Sequence, residues 1–121
     1  MEDSLLEIKK QTQAQNDLKM LGELIQEHQG QDVSVLDLRP FHIWTDFFII
    51  ATASSKTHMD GLERHIKEFC RERKIEMSGG SRKKSDDEWR LLDLGFAIIH
   101  LMNKRTREFY ELERLWSQRP D

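Results

Sequence analysis

Ser54, Ser55 and Cys70 are the first candidates for nucleophilic chemistry in this sequence. Nucleophilic catalysis requires a Ser or Cys within reach of a positioned base. The two serines directly precede a predicted helix, where serine commonly caps the first turn. Cys70 lies among apolar residues at helical spacing, which is typical of a core position. The pattern therefore favours structural roles for all three side chains.

The histidines that could bind a metal are dispersed. A metal site needs several His, Cys or carboxylate ligands close together. The five histidines contain no H-x-x-x-H pair; they are His28, His42, His58, His65 and His100. His58 and His65 are two turns apart and could share one helix face, and two surface histidines explain that spacing equally well. We therefore expect no metal ion and no cofactor.

A polar loop from Ser78 to Asp87 contains the remaining candidates for chemistry. Its Gly79-Gly80-Ser81 segment and its Asp86-Asp87 pair faintly resemble a nucleotide-transfer site. Such a site needs two carboxylates fixed on rigid elements to hold paired metal ions, whereas these aspartates end a loop. The cluster Arg82-Lys83-Lys84 is typical of solvated charge, with contact to nucleic-acid phosphates as the alternative.

Composition limits the class of protein. The 121 residues indicate one domain, and the 19 basic and 22 acidic residues give a net charge of -3. Generic nucleic-acid binding needs a surplus of basic residues, so it is not expected. A single cysteine excludes an internal disulfide and favours a reducing compartment. The acidic start resembles neither a signal nor a transit peptide, and no apolar run approaches a membrane span, so we expect a cytoplasmic protein.

The elements that would position these residues predict an α/β fold with a mixed five-stranded sheet packed with helices. Residues 1–16 are expected to form a loosely attached helical extension, followed by a helix that Asn16 or Asp17 caps. Apolar patterns predict three strands before the last third of the chain, namely Val33–Leu38, Asp46–Ala53 and Ile75–Met77. Helices are expected after Thr57 and after Asn103. We expect the last helix, Phe109 to Trp116, to be chiefly core.

Strands four and five are expected in the segment from Glu88 to Met102, as a hairpin with Leu94-Gly95 as its turn. Counting from that turn pairs Asp93 with Phe96, Leu91 with Ile98 and Trp89 with His100 on one face, and Leu92 with Ala97, Arg90 with Ile99 and Glu88 with Leu101 on the other. Both faces are substantially apolar, although a half-solvated hairpin should alternate more cleanly. Helices of the same chain could cover both faces. A partner or a second copy could cover one, or Asp93 and His100 could form a catalytic pocket.

Taken together, the sequence resembles the ribosomal silencing factor family, also called Iojap-like or RsfS. The resemblance spans roughly residues 17 to 117, which would form the domain that follows the extension. It rests on the order and spacing of four segments: Val35-Leu-Asp-Leu-Arg39, Thr45-Asp-Phe-Phe-Ile-Ile-Ala-Thr-Ala-Ser-Ser55, Trp89-Arg-Leu-Leu-Asp-Leu-Gly95 and Phe109-Tyr-Glu-Leu-Glu-Arg-Leu-Trp116.

The resemblance implies a fold similar to nucleotidyltransferases without their catalytic carboxylates, and a protein that is not an enzyme. Such a protein would bind the large ribosomal subunit through its protein number fourteen and block joining of the small subunit in starvation. It would be a homodimer when free. A large-subunit assembly factor is the alternative function, and a divergent nucleotidyltransferase is a rival from another class.

The resemblance also implies a contact surface on the hairpin. The family's segment for binding the ribosomal protein corresponds here to Trp89, Leu91, Leu92, Asp93 and Gly95, with Leu94 where Tyr is usual and Phe96 where Asp is usual. The two departures remove a hydroxyl and a carboxylate from the expected contact. Arg82, Lys83 and Lys84 would make a peripheral contact with ribosomal RNA.

Overall fold

A mixed sheet of four strands forms the centre of the part of the chain that the computed structural model describes, residues 2–78 and 87–117. The strands are β1 (Gln31–Asp37), β2 (Phe47–Thr52), β3 (Trp89–Asp93) and β4 (Ala97–Met102). Their order in the sheet is β1-β2-β4-β3. β2 and β4 are parallel, and both outer pairs are antiparallel. The predicted α/β class is therefore confirmed.

Four helices accompany the sheet in the described residues, α1 (Glu2–Glu27), α2 (Lys56–Glu72), α3 (Lys104–Tyr110) and α4 (Leu112–Leu115). α1 and α2 cover one face of the sheet. Their buried apolar side chains include Leu18, Leu21, Ile25, Met59, Leu62 and Ile66. Cys70 belongs to the same core, as its spacing predicts. Burial raises the pKa of the Cys70 thiol to about 11, so the side chain behaves as a small apolar group.

The opposite face of the sheet is covered by shorter segments. Its buried core consists of Leu38, Phe48, Ile50, Ile98 and Met102. Phe41, Leu112 and Trp116 pack against this core while remaining partly exposed. Every residue of β2 and β4 is buried, which is expected of central strands covered on both sides. Helices and loops of the same chain therefore cover most of both faces.

The predicted strand at Ile75–Met77 is wrong. These residues have no strand pairing, and only Ser78 forms an isolated bridge, with Asp93. Ile75 and Met77 pack against the α1–α2 core as irregular chain. Their apolar character therefore reflects core packing and not hydrogen-bonded pairing with another strand. Within the described residues the sheet therefore has four strands where the sequence predicts five. The strand that lies parallel to β2 is β4.

The predicted helix start at Asn16 or Asp17 is also wrong, because α1 continues through both residues. The polar stretch before them, residues 9–15, consists mainly of Lys and Gln, which have high intrinsic helix propensity. Asp17 is buried and forms an ion pair with Arg73 at 3.1 Å, so it joins α1 to the end of α2. The division into an extension and a domain at residues 16 and 17 stays a prediction.

The last helical segment is less buried than its spacing predicts. Glu111 adopts a left-handed backbone with φ of 46° and separates α3 from α4. Leu112 and Trp116 pack against the core on this face of the sheet, whereas Phe109 and Leu115 are exposed. The expectation of a chiefly core helix is therefore wrong for Phe109 and Leu115.

Gly30 joins α1 to β1 at a position where any side chain would collide. A Cβ atom there would lie 2.3 Å from Cγ2 and 2.8 Å from the backbone oxygen of the fully buried Ile25. We expect Gly30→Ala to lower the free energy of unfolding by about 1–3 kcal/mol, because the backbone of this connection must move. Urea unfolding monitored by circular dichroism measures the change.

Gly22, within α1, is the matched control. A Cβ atom at this position has no neighbour within 4 Å. Gly22→Ala should raise the free energy of unfolding by roughly 0.5–1 kcal/mol, because alanine is the better helix former. Equal effects of the two alanine substitutions would contradict the close approach at Gly30.

Candidate functional site

The hairpin of β3 and β4 turns one residue later than predicted. Leu94 donates its amide to the carbonyl of Ala97 at 2.9 Å, so Gly95 and Phe96 are the two turn residues. Gly95 has φ of +85°, a conformation that glycine tolerates at the first central position of a tight hairpin turn. Leu91 therefore pairs with His100. The predicted register is wrong by two residues.

The predicted faces are nevertheless correct for the residues of β3 and β4. They are wrong for Phe96, which was expected beside Asp93 and packs instead against the α1–α2 core. Side chains on a strand alternate with a period of two, so a shift of two residues leaves each on the same side. Trp89, Leu91 and Asp93 share one face with the core residues Ile98 and Met102. Leu92 belongs to the opposite α1–α2 core.

Asp93 fixes the hairpin turn. Its Oδ1 accepts a hydrogen bond from the amide of Gly95 at 2.8 Å, and its carbonyl accepts from the amide of Ser78 at 2.9 Å. Thr45 donates its hydroxyl to the carbonyl of Gly95 at 3.0 Å. These contacts hold the hairpin tip against two neighbouring loops, so the side chains of β3 are presented by a fixed backbone.

Trp89 is half-buried and bonded to a histidine of the neighbouring strand. Its indole Nε1 donates to Nδ1 of His100 at 3.1 Å, and its ring lies 4.8 Å from the ring of Tyr110. Burial lowers the pKa of His100 to about 4, so this imidazole is neutral at pH 7. Because Nδ1 accepts the hydrogen bond from the indole, the hydrogen of the neutral imidazole is on Nε2. Phe48 closes the other side of the imidazole in an edge-on contact of 4.4 Å between ring centroids.

The predicted contact residues divide between an accessible and a buried set. Leu91 is 44% exposed, and Trp89 and Asp93 beside it are partly exposed. We call these three residues the hairpin patch. At the tip, Gly95 is exposed and Phe96 is half-buried, whereas Leu92 and Leu94 are buried in the α1–α2 core. Leu92 and Leu94 can therefore support the patch only from behind. Arg82, Lys83 and Lys84 lie outside the described residues.

The catalytic interpretation of Asp93 and His100 finds no support in their geometry. The carboxylate binds the Gly95 amide, and the imidazole Nδ1 binds the Trp89 indole. General acid–base catalysis needs the two groups to converge on one reacting atom. Their hydrogen bonds serve the turn and the sheet instead.

His58 and His65 on α2 make structural contacts with residues near them, including His28 in the turn after α1. Nδ1 of His58 accepts the amide of Ser54 at 2.9 Å, and its Nε2 lies 2.8 Å from the carbonyl of His28. His65 stacks on the ring of His28 at 3.6 Å between centroids. Ser55 caps α2 by accepting the amide of His58, which confirms its predicted capping role. In residues 2–78 and 87–117, no group of three His, Cys, Asp or Glu side chains could hold a metal ion.

An ion-pair network behind the hairpin patch was missed by the sequence analysis. Arg90 is buried on β3 and binds Asp60 at 2.6 Å and Glu63 at 2.8 Å, both on α2. The hydrogen bond from Arg90 lowers the pKa of Asp60. Burial alone would raise the pKa of Glu63, but hydrogen bonds from Lys67 and Arg90 outweigh it and lower the value. An arginine inside an apolar strand, together with acids three residues apart on a helix, is the pattern that could have predicted this network.

A comparison with protein families identifies the relatives of this chain. Residues 11–121 match the model of the family described as ribosomal silencing factor during starvation. The chain belongs to this ribosomal silencing factor family. The resemblance of the four sequence segments is thereby confirmed. Membership supports a role in ribosomal silencing or in assembly of the large subunit.

The similar proteins include bacterial ones and others whose names are mitochondrial or chloroplastic. The ribosomal silencing factor of Haemophilus influenzae is 32% identical over 100 residues, which cover 83% of this chain and 97% of that protein. The mouse protein named mitochondrial assembly of ribosomal large subunit protein 1 is 31% identical over 88% of this chain. The chloroplastic Iojap protein of Arabidopsis thaliana is 33% identical over 77% of this chain. The matched regions cover only 47% of the mouse protein and 38% of the plant protein.

Two crystal structures share the fold. A protein from Chromobacterium violaceum superimposes with a TM-score of 0.78 at 27% identity, covering 88% of this chain and 89% of that one. A protein from Bacillus halodurans gives a TM-score of 0.72 at 25% identity, covering 84% and 94%. Within the described residues, none of the helices is both long and apolar enough to cross a membrane.

Proposed function

We propose that this member of the ribosomal silencing factor family represses translation in the cytoplasm, especially in starvation, by occupying the large ribosomal subunit. The hairpin patch would bind ribosomal protein number fourteen at the face where the small subunit docks. The observation that carries the proposal is the exposure of Leu91, an apolar side chain 44% exposed on a strand whose position is fixed by hydrogen bonds at its tip.

This function needs binding and steric exclusion but no chemistry. Leu91 and Trp89 supply apolar area that is removed from water on binding. Asp93 supplies a negative charge that a basic ribosomal protein can pair, which favours the correct partner and penalises one without a matching cation. A surface held rigid before binding loses little conformational entropy when it docks. The net charge of -3 favours encounter with a basic partner.

Leu91→Asp and Asp93→Asn test the hairpin patch with little effect on the fold. Both side chains are accessible, and asparagine keeps an oxygen that can accept the Gly95 amide while removing the charge. We expect each variant to bind purified large subunits about tenfold more weakly than the wild type in a sedimentation assay. We also expect Leu91→Asp to lose the ability to lower the fraction of joined ribosomes.

The choice of substitution separates weaker binding from a destabilised fold. Asp93→Ala removes both the charge and the turn hydrogen bond, so it should lower the thermal midpoint as well as the affinity, whereas Asp93→Asn should lower mainly the affinity. Trp89→Ala is unsuitable as a first test, because it also leaves His100 without its indole partner. Wild-type affinity of Leu91→Asp and Asp93→Asn for large subunits would exclude the hairpin patch as the contact.

Assembly of the large subunit is a second candidate function. The name of the mouse relative, which is 31% identical over 88% of this chain, favours it. The same surface would then bind a precursor particle. Accumulation of precursor particles in a deletion strain, with a normal response to starvation, would select assembly over silencing. A fold similar to nucleotidyltransferases also stays a proposal, and magnesium-dependent binding of nucleoside triphosphates in calorimetry would favour the enzymatic rival.

Three further elements complete the proposal. The free protein would be a homodimer. Arg82, Lys83 and Lys84 would contact ribosomal RNA at the edge of the docking site. Residues 1–16 would act as an extension of the domain formed by residues 17–117.

A further inference from the structure

Two adjacent aromatic residues at the end of α3 are exposed beside the hairpin patch. Phe109 is 77% exposed and Tyr110 is 52% exposed. Burying an aromatic ring in a partner gains substantial hydrophobic free energy at a low cost in conformational entropy. Aromatic residues are also enriched at the centres of protein interfaces. We call these two residues the aromatic pair.

Ring contacts join the aromatic pair to the hairpin patch. Tyr110 lies 4.8 Å from Trp89 between ring centroids, and Phe109 meets Tyr110 edge-on at 4.9 Å. Trp89 and Leu91 are two residues apart on β3 and share one face of the sheet. Leu91, Trp89, Tyr110 and Phe109 are therefore neighbours on one side of the molecule.

The area that a stable interface buries favours a binding surface that includes both the hairpin patch and the aromatic pair. A specific protein complex buries about 800 Å² on each partner. The hairpin patch consists of three partly exposed residues on a strand of five, which is too little area on its own. The aromatic pair supplies a second accessible group next to it.

Charges around the aromatic pair fit a basic partner. Glu88, Arg105 and Glu108 line the shallow groove beside Phe109 and Tyr110. The groove therefore carries one more acidic than basic side chain. The two glutamates can pair with cations of a basic protein at the rim of the apolar patch.

We propose that the aromatic pair is part of the surface that contacts the ribosomal protein, with the ring of Phe109 entering an apolar pocket of that partner. This inference rests on the proposed function and names a second anchor for the same binding event. Phe109 is the side chain to test, because Tyr110 also shields Trp89 and its removal would disturb the hairpin patch.

Phe109→Ala should weaken binding to purified large subunits about tenfold in sedimentation, which is a typical effect for an interface anchor. Its thermal unfolding midpoint should stay within about 2 °C of the wild-type value, because the ring is largely exposed. Val35→Ala is the matched control, since Val35 is 46% exposed on β1 at the other edge of the sheet. This control should bind like the wild type.

The outcomes separate this inference from the proposed function. Wild-type binding by Phe109→Ala, together with loss of binding by Leu91→Asp, would overturn the inference and leave the proposed function standing. Failure of the wild type to sediment with large subunits would overturn both. Loss of self-association in Phe109→Ala, with unchanged subunit binding, would assign the aromatic pair to a second copy of this chain and overturn the inference.

A photoreactive phenylalanine gives an independent result. Placed at position 109 and, in a separate protein, at position 91, it should cross-link to the same large-subunit protein on irradiation. Placed at position 35, it should give no such product. Cross-linking of position 109 to ribosomal RNA or to a different ribosomal protein would contradict a shared partner surface.

Discussion

Arg90→Met is expected to lower the free energy of unfolding by about 3 kcal/mol. Arg90 is buried and binds Asp60 and Glu63, so its removal deprives Glu63, a largely buried carboxylate, of one of its two cations. Breaking a buried ion pair from one side typically costs about 3–5 kcal/mol, because the remaining charge is left uncompensated. We expect the lower end of that range, because Lys67 still binds Glu63 at 2.8 Å. Urea unfolding measures the loss.

Two further variants identify the cause of the stability loss in Arg90→Met. Lys67→Met removes the more exposed cation of the network and should cost less than about 1 kcal/mol. The double variant Arg90→Met with Glu63→Met removes the uncompensated charge and should recover most of the stability. An Arg90→Met effect no larger than that of Lys67→Met would show that the ion pairs do not hold β3 to α2.

Acidification from pH 7 to pH 5 is expected to lower the free energy of unfolding by roughly 2 kcal/mol through His100 alone. Burial lowers the pKa of His100 from 6.5 to about 4. Below pH 6.5 the unfolded chain therefore binds a proton that the folded chain does not, and this difference favours unfolding. The contribution is fully present above pH 6.5, and it is lost as the pH falls toward 4, for a total of roughly 3 kcal/mol.

His100→Gln isolates this effect. Glutamine does not titrate, and its amide oxygen can accept the Trp89 indole hydrogen. The wild type should lose roughly 2 kcal/mol more than His100→Gln between pH 7 and pH 5, whatever the stability of the variant at pH 7. Urea unfolding at a series of pH values measures the free energy of unfolding of both proteins. If it falls by the same amount in both as the pH is lowered, His100 does not cause the pH dependence.

Local patterns predicted much of the fold. Continuous apolar sequence identified β2, and the spacing of Met59, Leu62, Ile66 and Cys70 identified the buried side of α2. Asn103 begins the helix predicted after it, since its side chain accepts the amide of Thr106. These features depend on residues close together in the chain, so their causes are visible in the sequence.

The errors arise where packing or the backbone conformation of a single residue, rather than the apolar pattern, decides the structure. Ile75 and Met77 have the composition of a strand, but they pack against the helices without pairing. The hairpin turn lies one residue later than predicted, and at this turn the Asp93 carboxylate accepts the Gly95 amide. The left-handed conformation of Glu111 divides the predicted last helix into α3 and α4, and Phe109 on α3 is exposed. Leu91 is exposed, whereas Leu92 and Leu94 are buried in the α1–α2 core, and the role of all three in binding stays a prediction.

The parallel pairing of β2 with β4 has a consequence for synthesis of the protein. Ala97 begins β4 45 residues after Thr52 ends β2. At 5–20 residues per second, the ribosome needs roughly 2 to 9 seconds to make the intervening chain. During that time β1 can protect only one side of β2. The nascent polypeptide therefore displays an apolar edge for seconds, long enough for chaperone capture or self-association to compete with completion of the sheet.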